Sequence, residues 1–158
     1  MHKTQTIPCM VLAAGRGERM RPLTDHTPKP LLKVRGKALI DWHIDGLATN
    51  HLTDIVVNHA WLGEKIIQHF NQGKHKKLNI QLSAENEALE TAGGLRQAMP
   101  LMKIDDYFFA INGDVFCPQF PFGRILEITN ELRKNERPPM AYLFLTQNPS
   151  HHPEGDFQ

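Results

Sequence analysis

The sequence contains no apolar run approaching the ~20 residues that a membrane-spanning helix needs. That argues against a helical span and against a membrane partner. The opening stretch, MHKTQTIP, has no apolar segment of the kind that makes a secretory signal. Cysteine is nearly missing. Cys9 and Cys117 are the two present, too few for a disulfide framework, and each lies beside a strand-like run, so both are expected to be buried, reduced thiols. These features together point to a cytoplasmic protein. Net charge is also nearly missing: +1 over 158 residues, which argues against a general nucleic-acid binder. Repeats, low-complexity tracts and linkers are lacking as well. One globular domain spanning 1–158 remains, with 41% hydrophobic residues to build its core.

The charge that is present is unevenly placed. Residues 1–40 hold eight Lys/Arg and two acids, Glu18 and Asp25, while residues 41–158 hold ten Lys/Arg and fifteen acids. A solvated basic face would show this pattern, and so would a site for a small anion.

Hydrophobic periodicity predicts five strands alternating with helices. CMVLA (9–13) and DIVVN (54–58) read as strands buried on both faces. LNIQLSAE (78–85), YFFAINGDV (107–115) and MAYLFLT (140–146) read as the third, fourth and fifth. Between them, 38–50 puts Leu39, Ile40, Ile44 and Leu47 on one side at helical spacing, and 62–70 reads as a helix stopped near Gly73. Thr91 is placed as the N-cap of a helix reaching about Met99. Residues 122–136 give the clearest helix, with Ile125, Leu126, Ile128 and Leu132 on one face. Such alternation predicts an α/β fold with a mostly parallel sheet covered by helices on both faces. Ligands of these sheets bind beyond the carboxyl ends of the strands, where Gly15, Glu85 and Asp114 fall.

The stretch after the first strand, AAGRGERM, carries Gly15 and Gly17 but fails two familiar fingerprints. A dinucleotide-binding turn wants a third glycine where Met20 stands and an acid where the second strand ends in Asn58. A P-loop wants a Gly-Lys-Ser/Thr that does not follow. Two glycines still permit positive φ and close backbone approach, and successive amides there can cradle an anion. A plain tight turn fits the same glycines. Arg19 in the turn can clamp phosphate oxygens. Lys29 stands between Pro28 and Pro30, which restrict its backbone. A held lysine beside a basic glycine turn suits a polyphosphate.

LAAGRGERMRPLT followed by PKPL resembles the signature of the sugar-1-phosphate nucleotidyltransferases. NHAWLGEKI, ENEALETAGGL, NGDV and NPSHHPEGDF extend the likeness along the chain. They are similar to the branch that uridylylates N-acetylmuramate 1-phosphate in peptidoglycan recycling. The resemblance implies a Rossmann-like three-layer α/β/α nucleotidyltransferase fold and transfer of UMP from UTP to a sugar 1-phosphate with release of pyrophosphate. Mannose- or glucose-1-phosphate nucleotidyl transfer, and nucleotide binding without catalysis, are the competing readings. It further implies that Ala14, Gly15, Gly17, Glu18 and Arg19 wrap the triphosphate, with Arg19 and Lys29 as the catalytic cations. Glu85 would accept the uracil imide N–H, which a carboxylate can do, and the LETAGG stretch with Glu90 and Thr91 would lie against the base. Asp114 would hold Mg²⁺, Asn112 would help position ribose or metal-bound water, and Asn148 and Gly155 would meet the sugar. Read without the resemblance, Glu85 is a solvated strand-end acid, while Asp114 after a buried strand fits a magnesium ligand and, as the alternative, Asn112–Asp114 is a turn chosen for its geometry.

The family pattern is not met throughout. Its second metal-binding aspartate, in a VDVGT-like stretch, has no counterpart, and Asp156 belongs to a different motif. The expectation is a catalytic domain lacking its C-terminal part. Nine histidines occur, but no His/Cys spacing along the chain suits a closed zinc site. His151 and His152 read as loop residues near the sugar pocket or as solvated, and KHKK (74–77) as a solvated loop.

Overall fold

The computed structural model describes residues 6–72, 74–87, 89–148, 150 and 153–155. The elements, in chain order, are β1 (Cys9–Leu12), β2 (Lys33–Val34), β3 (Lys37–Ala38), α1 (Leu39–Thr49), β4 (Asp54–His59), α2 (Gly63–Asn71), β5 (Asn79–Ala84), α3 (Glu90–Ala98), β6 (Phe109–Asn112) and α4 (Arg124–Arg133). Short 3₁₀ turns at Glu18–Met20, Leu23–Asp25 and Lys29–Leu31 shape the long connection from β1 to β2.

Four strands form a wholly parallel sheet in the order β5-β4-β1-β6. β1 shows why its sequence is continuously apolar. Cys9 and Val11 enter one core with Ile40, Ile44, Leu47, Ile55, Val57, Ile66 and Ile125. Met10 enters a second core with Val56, Ala98 and Met102. Helices α1, α2 and α4 therefore cover one face and α3 the other, giving the three-layer α/β/α arrangement. The expected helix face of α1 is buried, and Asp41 and His43 are buried with it.

The strand order creates a switch point. From β1 the chain moves outward to β4 and β5, then crosses back to place β6 on the other side of β1. Leu12 stands opposite Asn112, so the connections leaving β1 and β6 start side by side at the carboxyl edge of the sheet, the ordinary ligand position in an open α/β sheet.

Four expectations are corrected. Residues 140–146 form no strand. A strand exists through ladder bonds to a neighbour, and this segment has none among the described residues. Phe144 packs on Phe109 and Phe120, while Met140, Tyr142, Leu143 and Leu145 are exposed. Thr91 is not a cap: α3 begins one residue earlier, Leu89 holds the cap position, and no side chain caps it. Cys117 is half-buried, whereas Cys9 is fully buried. The 74–77 segment is not simply solvated, because His75 is buried and Lys74 bonds Asp41. The sequence pattern predicts no strands at the short hairpin β2–β3. Its turn places Arg35 and Gly36 at positive φ, the backbone twist that short hairpins need.

Candidate functional site

The switch-point crevice opens into a cleft of about 530 Å³ lined by Gly17, Glu18, Arg19, Met20, Lys29 and Asp114. Two separate stretches build it. The first is the connection after β1. Gly17 sits at φ +68°, which favours glycine, and a Cβ there would meet the Lys29 Cβ at 3.0 Å and the Thr24 Cγ2 at 3.1 Å, so both neighbours would have to give slightly. The buried Thr24 donates its hydroxyl to the Gly17 carbonyl at 2.9 Å. Trp61 donates its indole N–H to the Thr24 carbonyl at 3.0 Å, and the Arg16 guanidinium lies 3.9 Å from the Trp61 ring centroid. The turn is thus fastened to the sheet rather than loose. Pro28 and Pro30 are buried and hold Lys29 in a 3₁₀ turn, leaving its ammonium in the cleft.

The second stretch follows β6. Its Gly113 amide donates to the Leu12 carbonyl at 2.8 Å, and Asp114 comes next. Lys29 donates to Asp114 Oδ2 at 2.8 Å, with both side chains about a quarter to a third exposed. His43, fully buried in α1, bonds the neighbouring Val115 carbonyl through Nε2 at 2.7 Å. That oxygen accepts only, so Nε2 carries the proton, and burial pushes the imidazole's pKa below its usual value.

Glu85 is neither solvated nor open. It is buried at the end of β5, where Oε1 accepts from Asn58 Nδ2 at 2.7 Å and Oε2 accepts from the Leu89 amide at 3.0 Å. Asn58 in turn accepts from the Ala13 amide at 2.7 Å. A single buried relay therefore joins the exit of β1, the end of β4 and the loop entering α3. Gly94 of α3 seats against it, since a Cβ there would stand 2.6 Å from Glu85 Oε1. In the sequence, Asn58 stands out only as occupying the place of a ribose-binding acid. A buried asparagine ending an apolar strand is the signal that could have marked it as a bridge.

The other expected residues are distributed as follows. Ala14 is largely buried and Gly15 exposed at the mouth of the turn. Glu90 and Thr91 are exposed at the start of α3, and Asn112 ends β6. Asn148 donates to the Pro153 carbonyl at 2.9 Å, and Gly155 lies against the Asn148 side chain. The structure thus brings Gly17, Glu18, Arg19, Lys29 and Asp114 into one cleft, ties Glu85 to the β1 exit, and pairs Asn148 with Gly155. His151, His152 and Asp156 lie outside the described residues.

The profile of the nucleotidyl transferase family matches residues 9–151, and the chain belongs to that family. It is 48% identical over 149 residues to the N-acetylmuramate alpha-1-phosphate uridylyltransferase of Neisseria meningitidis serogroup B, covering 94% of this chain and 62% of that protein. It is 38% identical over 120 residues to a mannose-1-phosphate guanyltransferase of Hypocrea jecorina, covering 75% of this chain and 33% of that one. The fold is similar to the crystal structure of HddC from Yersinia pseudotuberculosis complexed with GMP-PN, with a TM-score of 0.68, 23% identity, and coverage of 80% of this chain and 55% of that one. The chain spans less than two thirds of the length of these relatives. No helix among the described residues is long and apolar enough to cross a membrane.

Proposed function

We propose that the protein transfers UMP from UTP to a sugar 1-phosphate, N-acetylmuramate 1-phosphate, with release of pyrophosphate. The observation that carries the reading is the meeting of the β1 turn, Lys29 and Asp114 in one cleft at the switch point of a parallel sheet. The 48% identity to a uridylyltransferase of that substrate supports the choice of base and sugar.

An oxygen of the sugar phosphate attacks the α-phosphorus of UTP in line. The new P–O bond forms as the bond to the β-phosphate oxygen breaks, and its electron pair leaves on pyrophosphate. A phosphate dianion is already a nucleophile, so no general base or covalent intermediate is required. The work of the protein is positioning and charge neutralisation. Amides from Ala14 to Glu18 cradle the triphosphate. Arg19 and Lys29 face the charge that builds on the departing phosphates, and Lys29 does so by turning from Asp114 to the nucleotide.

Asp114 and the phosphate oxygens form an all-oxygen donor set, which fits Mg²⁺, an ion often held by one or two carboxylates plus substrate. When bound, the ion supplies a template and Lewis acidity. Asn112 stands beside that position for ribose or bound water. Glu85 serves the base through a lone pair left on its carboxylate and through its hold on Leu89, with Glu90 and Thr91 flanking. Asn148 and Gly155 serve the sugar. In peptidoglycan recycling such an enzyme works in the cytoplasm, where UTP is available.

The test is magnesium-dependent pyrophosphate release from UTP with N-acetylmuramate 1-phosphate, set against mannose and glucose 1-phosphates and against GTP. Release confined to UTP and the muramate substrate supports the proposal. Release with GTP and mannose 1-phosphate would favour the second reading, which the 38% identity to a guanyltransferase supports. Nucleotide binding with no release from any pair would leave a binding module.

A further inference from the structure

Away from the cleft, α1 and α2 bury a cluster that the proposed reaction does not use. Asp41, only 5% exposed, has two imidazole nitrogens beside Oδ1: His69 Nε2 at 2.7 Å and His75 Nε2 at 3.2 Å. One ligand atom from each of the three residues lies within 4.8 Å of those of the others. Lys74 takes the second oxygen, Oδ2, at 2.9 Å. Asp45 stands behind His75, its Oδ1 3.7 Å from Nδ1, and is itself paired with Lys37 at 2.5 Å.

His75 is the informative member. Its two ring nitrogens face two different carboxylates, while a neutral imidazole carries one N–H. With the proton on Nε2 the ring donates to Asp41 at 3.2 Å, while Asp45 stands beyond hydrogen-bond reach at 3.7 Å. With the proton on Nδ1 toward Asp45, the Nε2 lone pair is free to join Asp41 Oδ1 in holding a cation. A carboxylate behind the imidazole, orienting the ring from its other nitrogen, is the outer support that metal-bound histidines ordinarily have.

We infer that Asp41 Oδ1, His69 Nε2 and His75 Nε2 form a binding site for a transition-metal divalent cation, with Zn²⁺ the best match and Asp45 orienting His75. Two imidazoles and a carboxylate suit zinc and do not suit Mg²⁺. Zinc–ligand lengths near 2.0–2.2 Å give a tetrahedron with edges of roughly 3.4 Å. The observed 2.7 and 3.2 Å separations from Asp41, and a pair of imidazole nitrogens within 4.8 Å of each other, reach that edge by side-chain movement, and the fourth position is left to water. Lys74 competes for the same carboxylate, but its side chain is half-exposed on a flexible stem and can withdraw. Spacing along the chain conceals this site, because its ligands come from two helices and the turn that follows the second.

The experiment titrates the untagged chain with Zn²⁺ against a chromophoric chelator and does not depend on nucleotidyl transfer. One equivalent bound at micromolar free metal is expected. His69→Gln and His75→Gln should each weaken it by more than the roughly 10–100-fold typical of an outer-shell partner, and Asp45→Asn by about that amount. Lys74→Met should tighten it by roughly tenfold or more, since a positive charge is removed a few Å from the ion. A Co²⁺ titration of the unaltered chain gives an independent readout: an intense tetrahedral d–d spectrum at one equivalent is expected. Absence of stoichiometric binding, or binding unchanged in both histidine variants, would overturn the site and leave a buried ion-pair cluster.

Discussion

Lys29 Nζ lies 2.8 Å from Asp114 Oδ2, so the lysine held between two prolines neutralises an acid that lines the cleft. A triphosphate entering with its cation would separate them, each moving to the partner of opposite charge. Lys29→Met is expected to lower kcat by about 10²–10³, the usual cost of losing one preorganised donor to developing charge. Its effect on stability should stay within ~1 kcal/mol, because the pair is partly solvated. Asp114→Asn should instead raise the Mg²⁺ concentration needed for half-maximal rate. Steady-state kinetics over a magnesium series, beside urea melts, separates the two.

Gly17→Ala tests the turn. The new Cβ must accept positive φ and press on Lys29 and Thr24. A cost of about 1–3 kcal/mol is expected from the strained backbone, together with weakened UTP binding, since Lys29 is displaced directly. Thermal melts and nucleotide titration measure both.

Asn58→Ala removes the bridge between Ala13 and Glu85. The Ala13 amide and one Glu85 oxygen lose their partners inside the protein, at roughly 1–3 kcal/mol for each stranded group. Asn58→Asp is expected to be worse than isosteric exchange suggests, because it sets a second carboxylate against Glu85. Urea denaturation of the two variants checks the order.

Acid should weaken the fold in the histidine range. Burial lowers the pKa of His43 and of His59 below the usual imidazole value. The unfolded chain then binds more protons than the folded one once pH falls below about 6.5. Stability from these groups is present above that pH and declines as pH drops toward their folded pKa values. Asp41 behaves differently. Burial pushes it up, but hydrogen bonds from His69 and Lys74 outweigh burial and hold its carboxyl well below the carboxylate range. Its contribution therefore persists through the histidine window and is lost only in strong acid. Urea melts from pH 8 to pH 5 should show the decline, and His43→Leu should shallow it.

The two thiols should differ. Burial, with a smaller contribution from Asp54, pushes the Cys9 thiol up to about 12, so it is unreactive when folded. Cys117 is half-buried. A disulfide reagent at neutral pH should titrate Cys117 in the native protein and Cys9 only after denaturation.

The two central strands, β1 and β4, were legible because they are buried on both faces. Burial of that kind favours continuous apolar runs, and Cys9–Leu12 and, within β4, residues 55–57 carry them. Residues 140–146 carry the same kind of run without becoming a strand, since apolar content reports what would be buried and not whether a partner strand lies beside it. Thr91 shows a similar limit. A capping residue type was present, but the chain enters α3 at Glu90 with its backbone at φ +57°, a local conformation that composition does not encode.

By itself the sequence determined the α/β class, the two covered faces of the sheet, and a basic glycine turn at a strand end, because these follow from hydrophobic period and from backbone freedom at single residues. Tertiary structure alone decided which distant groups meet. Lys29 reaches Asp114 across 85 positions, Asn58 joins Ala13 to Glu85, and Asp41 gathers two histidines and a lysine. The physical reason is the same in each case: such contacts depend on the order in which strands and helices pack, and period along one segment carries no information about its neighbour.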